Sequence, residues 1–449
     1  MTGHLGIDWG THSSKWAFQR PGMNPIVGTI WDSAVSRVGA DLVMHTMERH
    51  HQDPSREVAL KRKLIQDPDQ SFWEGDRPKL GVTLGESVVS SILCLLDDAE
   101  KELKRRGLSF RSQGSVVRFS HPNWISSENV RALNCFRDAV VAALAIFIEG
   151  AGSIEKDGSR FKVPASALRD AVHRHKALVD GLPKFPEHYG HKDYHRCTRG
   201  NMKGIEWEFV FESCAAGFPY LLQHDRELFE ESIRKFPATR RVRKVLVVDV
   251  GAGSTDAGYL VRTVRPRDHQ GIMHPLLIWL PAADALELAG RWLTDRIYAD
   301  LKQQGRRVTA DEAEEAKLSR QSLWLTKPYV EEWSCRIAAH IGHYAKSLRD
   351  DVCLPSKPEL EVVVTGGSSA VNPMRDAVLA QVQRSLVERG LPIGRSTKLI
   401  EPESFGLEES SYQRVHLAQL AVCLGASDPF LSELKAYPQG LVAVSSIVR

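Results

Sequence analysis

Two segments of the chain place a carboxylate at the end of an apolar run and follow it with glycine and hydroxyls. The first reads Leu5-Gly6-Ile7-Asp8, then Trp9-Gly10-Thr11-His12-Ser13-Ser14, then the return run Lys15-Trp16-Ala17-Phe18. The second reads Lys244-Val245-Leu246-Val247-Val248-Asp249, then Val250-Gly251-Ala252-Gly253-Ser254-Thr255, then Asp256-Ala257-Gly258-Tyr259-Leu260. Each pattern predicts a β-hairpin with a small, hydroxyl-rich tip. Glycine lets backbone N–H groups approach an anion, and successive N–H groups form an anion-binding concavity. The hydroxyls of Thr11, Ser13, Ser14, Ser254 and Thr255 add donors. Asp8 and Asp249 repel phosphate directly. They make chemical sense if a divalent cation stands between them and the phosphates, held through water as Mg²⁺ prefers. One glycine hairpin is ordinary. Two with the same Asp-x-Gly spacing, together with the loop Gly366-Gly367-Ser368-Ser369 after the run Val362-Val363-Val364-Thr365, point to a polyphosphate and its metal clamped across a cleft.

The elements that must position these tips alternate in type. Apolar residues at helical spacing predict a helix over 86–106 that stops at Gly107, and another over 128–148. Thr309-Ala310-Asp311-Glu312 opens a helix over 309–325 with a capping box. Further helices are predicted from Pro373 onward and over 412–425, and Ser115-Val116-Val117-Arg118-Phe119 reads as a strand. Alternation of this kind gives an α/β class. Residues 150–206, rich in Gly, Lys, Arg and His, read as an insertion in which only 163–182 looks helical. The basic, proline-broken run Arg234–Lys244 reads as a boundary before the second hairpin.

A chain of 449 residues has room for about three ordinary domains or two large lobes. Hydrophobic residues at 42% and charged residues at 26% are enough to build a sizeable core. Lys+Arg 59 against Asp+Glu 56 is near balance, which argues against a basic nucleic-acid coat and favours a solvated linker for the 234–244 run. No apolar run has bilayer-spanning length, and the start lacks a secretory layout. Seven cysteines, odd in number and without a CxxC pair, predict reduced thiols and a cytoplasmic setting. His188, His191, His195 and Cys197 are crowded, but their spacing matches no zinc pattern. The ten tryptophans read as core residues.

Gly6-Ile7-Asp8-Trp9-Gly10-Thr11 with Ser13-Ser14 resembles the first phosphate loop of the actin, sugar-kinase and heat-shock-chaperone ATPase superfamily, and Asp249-Val250-Gly251-Ala252-Gly253-Ser254-Thr255-Asp256 resembles the second. Within it the chain is most similar to the DnaK-type chaperone ATPase domain. Phe211-Glu212-Ser213-Cys214-Ala215-Ala216 resembles the family's Asn-Glu-Pro-Thr-Ala-Ala segment, and 114–124 the strand and proline turn before it. Glu314-Glu315-Ala316-Lys317 is similar to its adenosine-side helix and Gly366-Gly367-Ser368-Ser369 to its adenosine loop. The resemblance spans residues 5 to about 427 and skips the insertion.

The resemblance implies an actin-like, two-lobed α/β fold with duplicated ribonuclease-H-like mixed sheets: lobe I over 1–237 with the insertion at 150–206, lobe II over 238–409, and over 410–449 a helix returning to lobe I plus a short tail. It implies ATP or ADP and Mg²⁺ as ligands. Asp8 and Asp249 would hold the Mg²⁺ shell, and Glu212 and Asp256 would orient the attacking water. Lys61, with Lys63 close behind it, would offset charge on the transferring phosphoryl group. Gly10, Thr11, His12, Ser13, Gly251, Ala252, Gly253 and Ser254 would contact phosphates, and Glu314, Lys317, Gly366, Gly367 and Ser368 the nucleoside side. Three departures stand out. The paired arginines that sandwich adenine are replaced by Leu318 and Ala370, the Glu212 segment lacks proline, and Ala252 replaces a glycine and requires a negative φ. The implied function is an ATPase whose lobe closure is read by a protein partner or client, with no membrane. Ala426–Arg449 is too brief for the family's peptide-binding domain. The rivals are an actin-like filament protein, a small-molecule kinase of the same superfamily, and a nucleotide-binding scaffold without turnover.

Overall fold

The computed structural model describes residues 3–46, 57, 60–66, 72–112, 114–124, 126–150, 154–157, 160–187, 191–220, 241–264, 276–281, 286–318, 324, 327–351, 360–370, 372–391, 417–429, 431 and 435–436. The class is mixed α/β. The chain forms two compact units, Met1–Val210 with Ala426–Pro429, and Phe211–Gly425 with Phe430–Arg449.

The first unit is built on a seven-stranded mixed sheet. β1 (His4–Trp9) pairs antiparallel with β2 (Ser13–Gln19), which carries β3 (Ile26–Val27) and β4 (Trp31–Asp32). On its other side β1 lies parallel to β7 (Val116–His121), followed by β11 (Ile205–Phe211) and β10 (Arg199–Met202). β1 and β7 are buried along their whole length, as a strand covered on both faces must be. Two long helices flank the sheet. α1 (Leu60–Gln66) is short, and α2 (Leu84–Arg105) opens on a full capping box. There Thr83 Oγ1 accepts from Glu86 N at 3.1 Å and Glu86 Oε2 accepts from Thr83 N at 2.8 Å. Beyond α2, Gly107 takes a φ of 70°. α3 (Ser127–Glu149) ends on Gly150 in the left-handed region. The core is aromatic: Trp9 stacks on Phe136 of α3 at 5.2 Å, and Phe209 meets Phe136 edge-on at 5.6 Å.

Residues 150–206 contain more regular structure than their composition suggests. β8 (Glu155–Asp157) and β9 (Arg160–Pro164) extend a second, antiparallel sheet begun by β5 (Ser36–Val38) and β6 (Asp41–His45), in the order β5-β6-β9-β8. α4 (Ala165–Asp180) falls within the predicted helical stretch, and α5 (His191–Cys197) adds a second helix. β10 and the start of β11 belong to the main sheet.

The second unit repeats the core strand order of the first. β12 (Arg241–Val250) and β13 (Thr255–Val264) form an antiparallel hairpin, β14 (Leu276–Pro281) lies beside β13, and β15 (Leu360–Thr365) runs parallel to β12. β16 (Lys435–Ala436) adds an edge to β14. β1, β2, β3 and β7 thus correspond to β12, β13, β14 and β15. Helix α6 (residues 212–220) lies on this sheet at Gly217, where a Cβ would stand 2.3 Å from Val247. α7 (Gly290–Gln303), α8 (Ala310–Leu318), α9 (Pro328–Asp351) and α10 (Asn372–Glu388) follow. Trp333 and Ile337 of α9 and Val378 and Val382 of α10 pack with Leu246, Val248 and Val364 as the core. The predicted capping box at Thr309 and Glu312 forms before α8. α11 (Leu417–Ser427) comes to rest with Gly425 against the carbonyl of Ala215, a place with no room for a side chain.

Candidate functional site

The two hairpins share one geometry. In the first, Asp8 stands opposite Lys15 and Trp9 opposite Ser14. In the second, Asp249 stands opposite Asp256 and Val250 opposite Thr255. Register and tip length are the same, so Gly10–Ser13 corresponds to Gly251–Ser254. Each carboxylate also has a hydroxyl beside it on the parallel strand. Ser120 Oγ donates to Asp8 Oδ1 at 3.4 Å, and Thr365 is in register with Asp249. All four of these residues are buried.

In the first unit the tip is tight: a Cβ on Gly10 would lie 2.3 Å from the Ser13 carbonyl oxygen. His12 O accepts from Ser33 N at 3.1 Å, and the hydroxyls of Ser14 and Ser33 are 2.7 Å apart. Trp9 Nε1 donates to Ser91 Oγ of α2 at 2.9 Å, which ties the hairpin to that helix. Lys15 Nζ lies 2.7 Å from Asp8 Oδ2, both side chains being nearly inaccessible. The lysine was not singled out from the sequence, although it stands as far after Asp8 as Asp256 does after Asp249. That shared offset was the available signal.

Lys61 on α1 is buried, whereas Lys63 is partly exposed and ion-paired with Glu57. Lys61 sits near the end of β7, where His121 is held with Nδ1 2.6 Å from Pro122 O and Nε2 3.0 Å from Tyr194 Oη. Burial pushes the His121 ring down to about 3. The hydrogen bond to Pro122 opposes that shift, and the charge of Lys61 adds to it.

In the second unit the tip, α7, α8 and the turn after β15 form one hydrogen-bonded cluster. Gly251 O accepts from Gly290 N at 3.0 Å and from Ser368 Oγ at 3.0 Å, and Ala252 O accepts from Arg291 N at 2.9 Å. The first two amide donors of α7 are thereby matched to carbonyls of the tip. Lys317 Nζ donates to Gly290 O at 3.2 Å, to Thr294 Oγ1 at 3.0 Å and to Glu314. Thr294 Oγ1 also donates to Glu314. Burial pulls the Lys317 amine below its ordinary value, and Glu314 resists that shift. Gly366 has a φ of 91°, and a Cβ there would fall 2.3 Å from Asp249 Oδ1. Ser254 Oγ donates to Asp256 Oδ2 at 2.8 Å. Ala252 meets the condition set by its side chain, since Lys203 is the one non-glycine residue with positive φ among those described.

Of the predicted site residues, Gly251–Ser254, Asp249, Asp256, Glu314, Lys317 and Gly366–Ser368 gather in the second unit, together with Gly290, which spacing did not reveal. Glu212 is buried at the first residue of α6, which packs on the same sheet. Asp8, Gly10–Ser13 and Lys61 belong to the first unit.

Oxygen-rich surroundings suit a hard cation such as Mg²⁺. Asp249 and Asp256 are both buried and directly opposed across the hairpin, and like charges placed so repel each other. Among the described residues, no three His, Cys, Asp or Glu side chains gather closely enough to hold a metal by themselves. Water and ligand oxygens would have to complete such a shell. Neither a protein-family model nor a curated protein matches the chain.

Proposed function

We propose that the chain is a heat-shock-chaperone-like ATPase of actin-like, two-lobed architecture that binds ATP with Mg²⁺ and signals its nucleotide state to a protein partner. The observation that carries the reading is the repeated hairpin: two strand-end carboxylates, Asp8 and Asp249, in one register, each ahead of a four-residue tip and beside a hydroxyl-bearing parallel strand.

In this reading both hairpin tips are phosphate-binding loops. Backbone amides and hydroxyls of Gly10–Ser13 and Gly251–Ser254 bind the phosphates. Asp8 and Asp249 hold the water shell of Mg²⁺, which when bound neutralises phosphate charge. Glu212 and Asp256 orient the attacking water, and Ser254 fixes the Asp256 carboxylate. Lys61 offsets charge on the outermost phosphate. The buried cluster of Glu314, Lys317, Gly366, Gly367 and Ser368 supports the nucleoside side and ties it to the Gly251 carbonyl. Loss of the outermost phosphate removes contacts to the phosphate-binding loops, so the nucleotide biases a conformational equilibrium that a partner reads.

A second reading, nucleotide binding without turnover, is favoured by one observation: Lys15 already neutralises Asp8 from within the hairpin. A panel of ATP, GTP and ADP, with and without Mg²⁺, on the wild type and on Asp8→Ala, Asp249→Ala and Glu212→Ala separates the two. The ATPase reading expects Mg²⁺-dependent phosphate release that both aspartate variants abolish. Binding without release selects the second reading, and unchanged release in both aspartate variants removes the site assignment.

A further inference from the structure

A cavity of about 310 Å³ opens in the first unit, and no residue of the first hairpin lines it. Its floor is apolar, made by Ala142 of α3 and Val179 of α4, both buried. One wall is Trp73. That indole is held in place: a Cβ on Gly85 at the start of α2 would approach its ring to 2.5 Å, and Phe72 packs edge-on against it at 4.7 Å. Phe72 O in turn accepts from Gly85 N at 2.6 Å, so the segment carrying Trp73 is stitched to the helix.

The rim is unbalanced in charge. Four carboxylates, those of Glu74, Asp76, Glu86 and Asp180, line the cavity against two obligate cations, Arg169 and Lys176, with His173 beside them. Arg169 is already committed: Nε to Glu86 at 3.1 Å, and Nη2 to Asp76 at 2.7 Å and to Gly81 O at 3.0 Å. Glu74 and Asp180 are exposed and have no ion pair among the described residues.

We infer that this cavity is a binding site for an organic cation, an amine or guanidine carried on an apolar body. The apolar body covers the Ala142–Val179 floor, and the charge lies against the Trp73 face and between Glu74 and Asp180. An anion of the same shape would meet the carboxylate majority, with Arg169 shared between Glu86 and Asp76 and Lys176 as the other fixed cation. The site does not depend on the nucleotide reading, because none of its residues belongs to the hairpins or their clusters.

The test is calorimetric titration of the full chain, without nucleotide, using phenethylamine and agmatine as probes and 3-phenylpropionate as the charge-reversed match. Saturable binding of at least one cation and none of the anion is expected. The double variant Glu74→Gln/Asp180→Asn removes two exposed carboxylates without touching the core. It should weaken the cation roughly five- to tenfold, the scale of one or two partly exposed charge interactions. Trp73→Leu, which keeps an apolar wall, should weaken it as well. Equal binding of the anion, no saturable binding of either cation, or unchanged affinity in the double variant would overturn the assignment.

Discussion

Lys15 closes on Asp8 at 2.7 Å, the two residues standing opposite each other across the first hairpin. At the matching place in the second hairpin Asp256 faces Asp249. The duplicated frame therefore differs at one register position: a lysine faces the carboxylate in one copy and a second carboxylate faces it in the other.

Removing one member of that buried pair leaves a charge without its counterpart. Lys15→Met is expected to cost about 3–5 kcal/mol of stability, and Asp8→Asn/Lys15→Met to recover most of it. Urea denaturation of the single and double variants reads the coupling. A Lys15→Met loss below about 0.5 kcal/mol would show that the pair contributes nothing to the folded state.

Gly290 is required by close approach. A Cβ there would lie 1.9 Å from Ser368 Oγ and 3.2 Å from Gly251 O. Gly290→Ala should push Ser368 off the hairpin tip and cost about 1–3 kcal/mol by overpacking. Adding Ser368→Ala removes the hydroxyl and should restore part of the loss. Thermal unfolding checks both steps, and under the proposed function nucleotide affinity should follow the same order.

Two buried histidines predict an acid sensitivity. Burial and the charge of Arg118 lower His4 to about 4, and burial lowers His121 to about 3, against an ordinary 6.5. Both rings are neutral when folded and gain protons on unfolding below pH 6.5, so the unfolded state binds more protons there. Their contribution is full above pH 6.5 and falls as the pH drops toward 4, by about 1.4 kcal/mol per pH unit for each ring. Denaturation midpoints between pH 7 and 4.5 should decline, and His121→Gln should flatten the decline. A slope unchanged in that variant would assign the effect to other groups.

Arg118 is fully buried on β7, paired with Glu208, and its Nη1 donates to Ala426 O at 3.0 Å and Asp428 O at 2.7 Å. It caps the carboxyl end of α11, where a cation suits both the free carbonyls and the helix dipole. Arg118→Met should cost about 3–5 kcal/mol, since it leaves Glu208 with Arg199 as its remaining cation at 3.3 Å and strips both carbonyls of their donor. Hydrogen exchange along Leu417–Ser427 should accelerate more than exchange in α3. Equal acceleration in the two helices would make Arg118 a general core residue instead of a cap.

The sequence made the hairpins legible because a strand-end aspartate followed by glycine is a local pattern, and hairpin register follows from tip length. The long helices were equally readable from periodicity, and the first also from Gly107 at its end. The second sheet of the first unit was not. β6 and β9 meet only through a long excursion of chain, and their segments are too short to announce a partner. The same limit hid the buried Asp98, which accepts from Trp16 Nε1 at 2.9 Å and Trp31 Nε1 at 3.0 Å while pairing with Lys156 at 2.7 Å. Four segments contribute to that network, and none of them signals the others. Gly290 escaped notice for a related reason: its role is visible only where it meets the tip.

The grip of Arg118 on Ala426 and Asp428 also sets an order on biogenesis. The strand that holds the clamp is made early, and the carbonyls it holds are made some three hundred residues later. Until then the nascent first unit carries a guanidinium and a carboxylate in its interior with part of their coordination missing. Its final consolidation therefore waits until Asp428 has left the ribosome, and contacts of such long sequence separation are the slow ones to close.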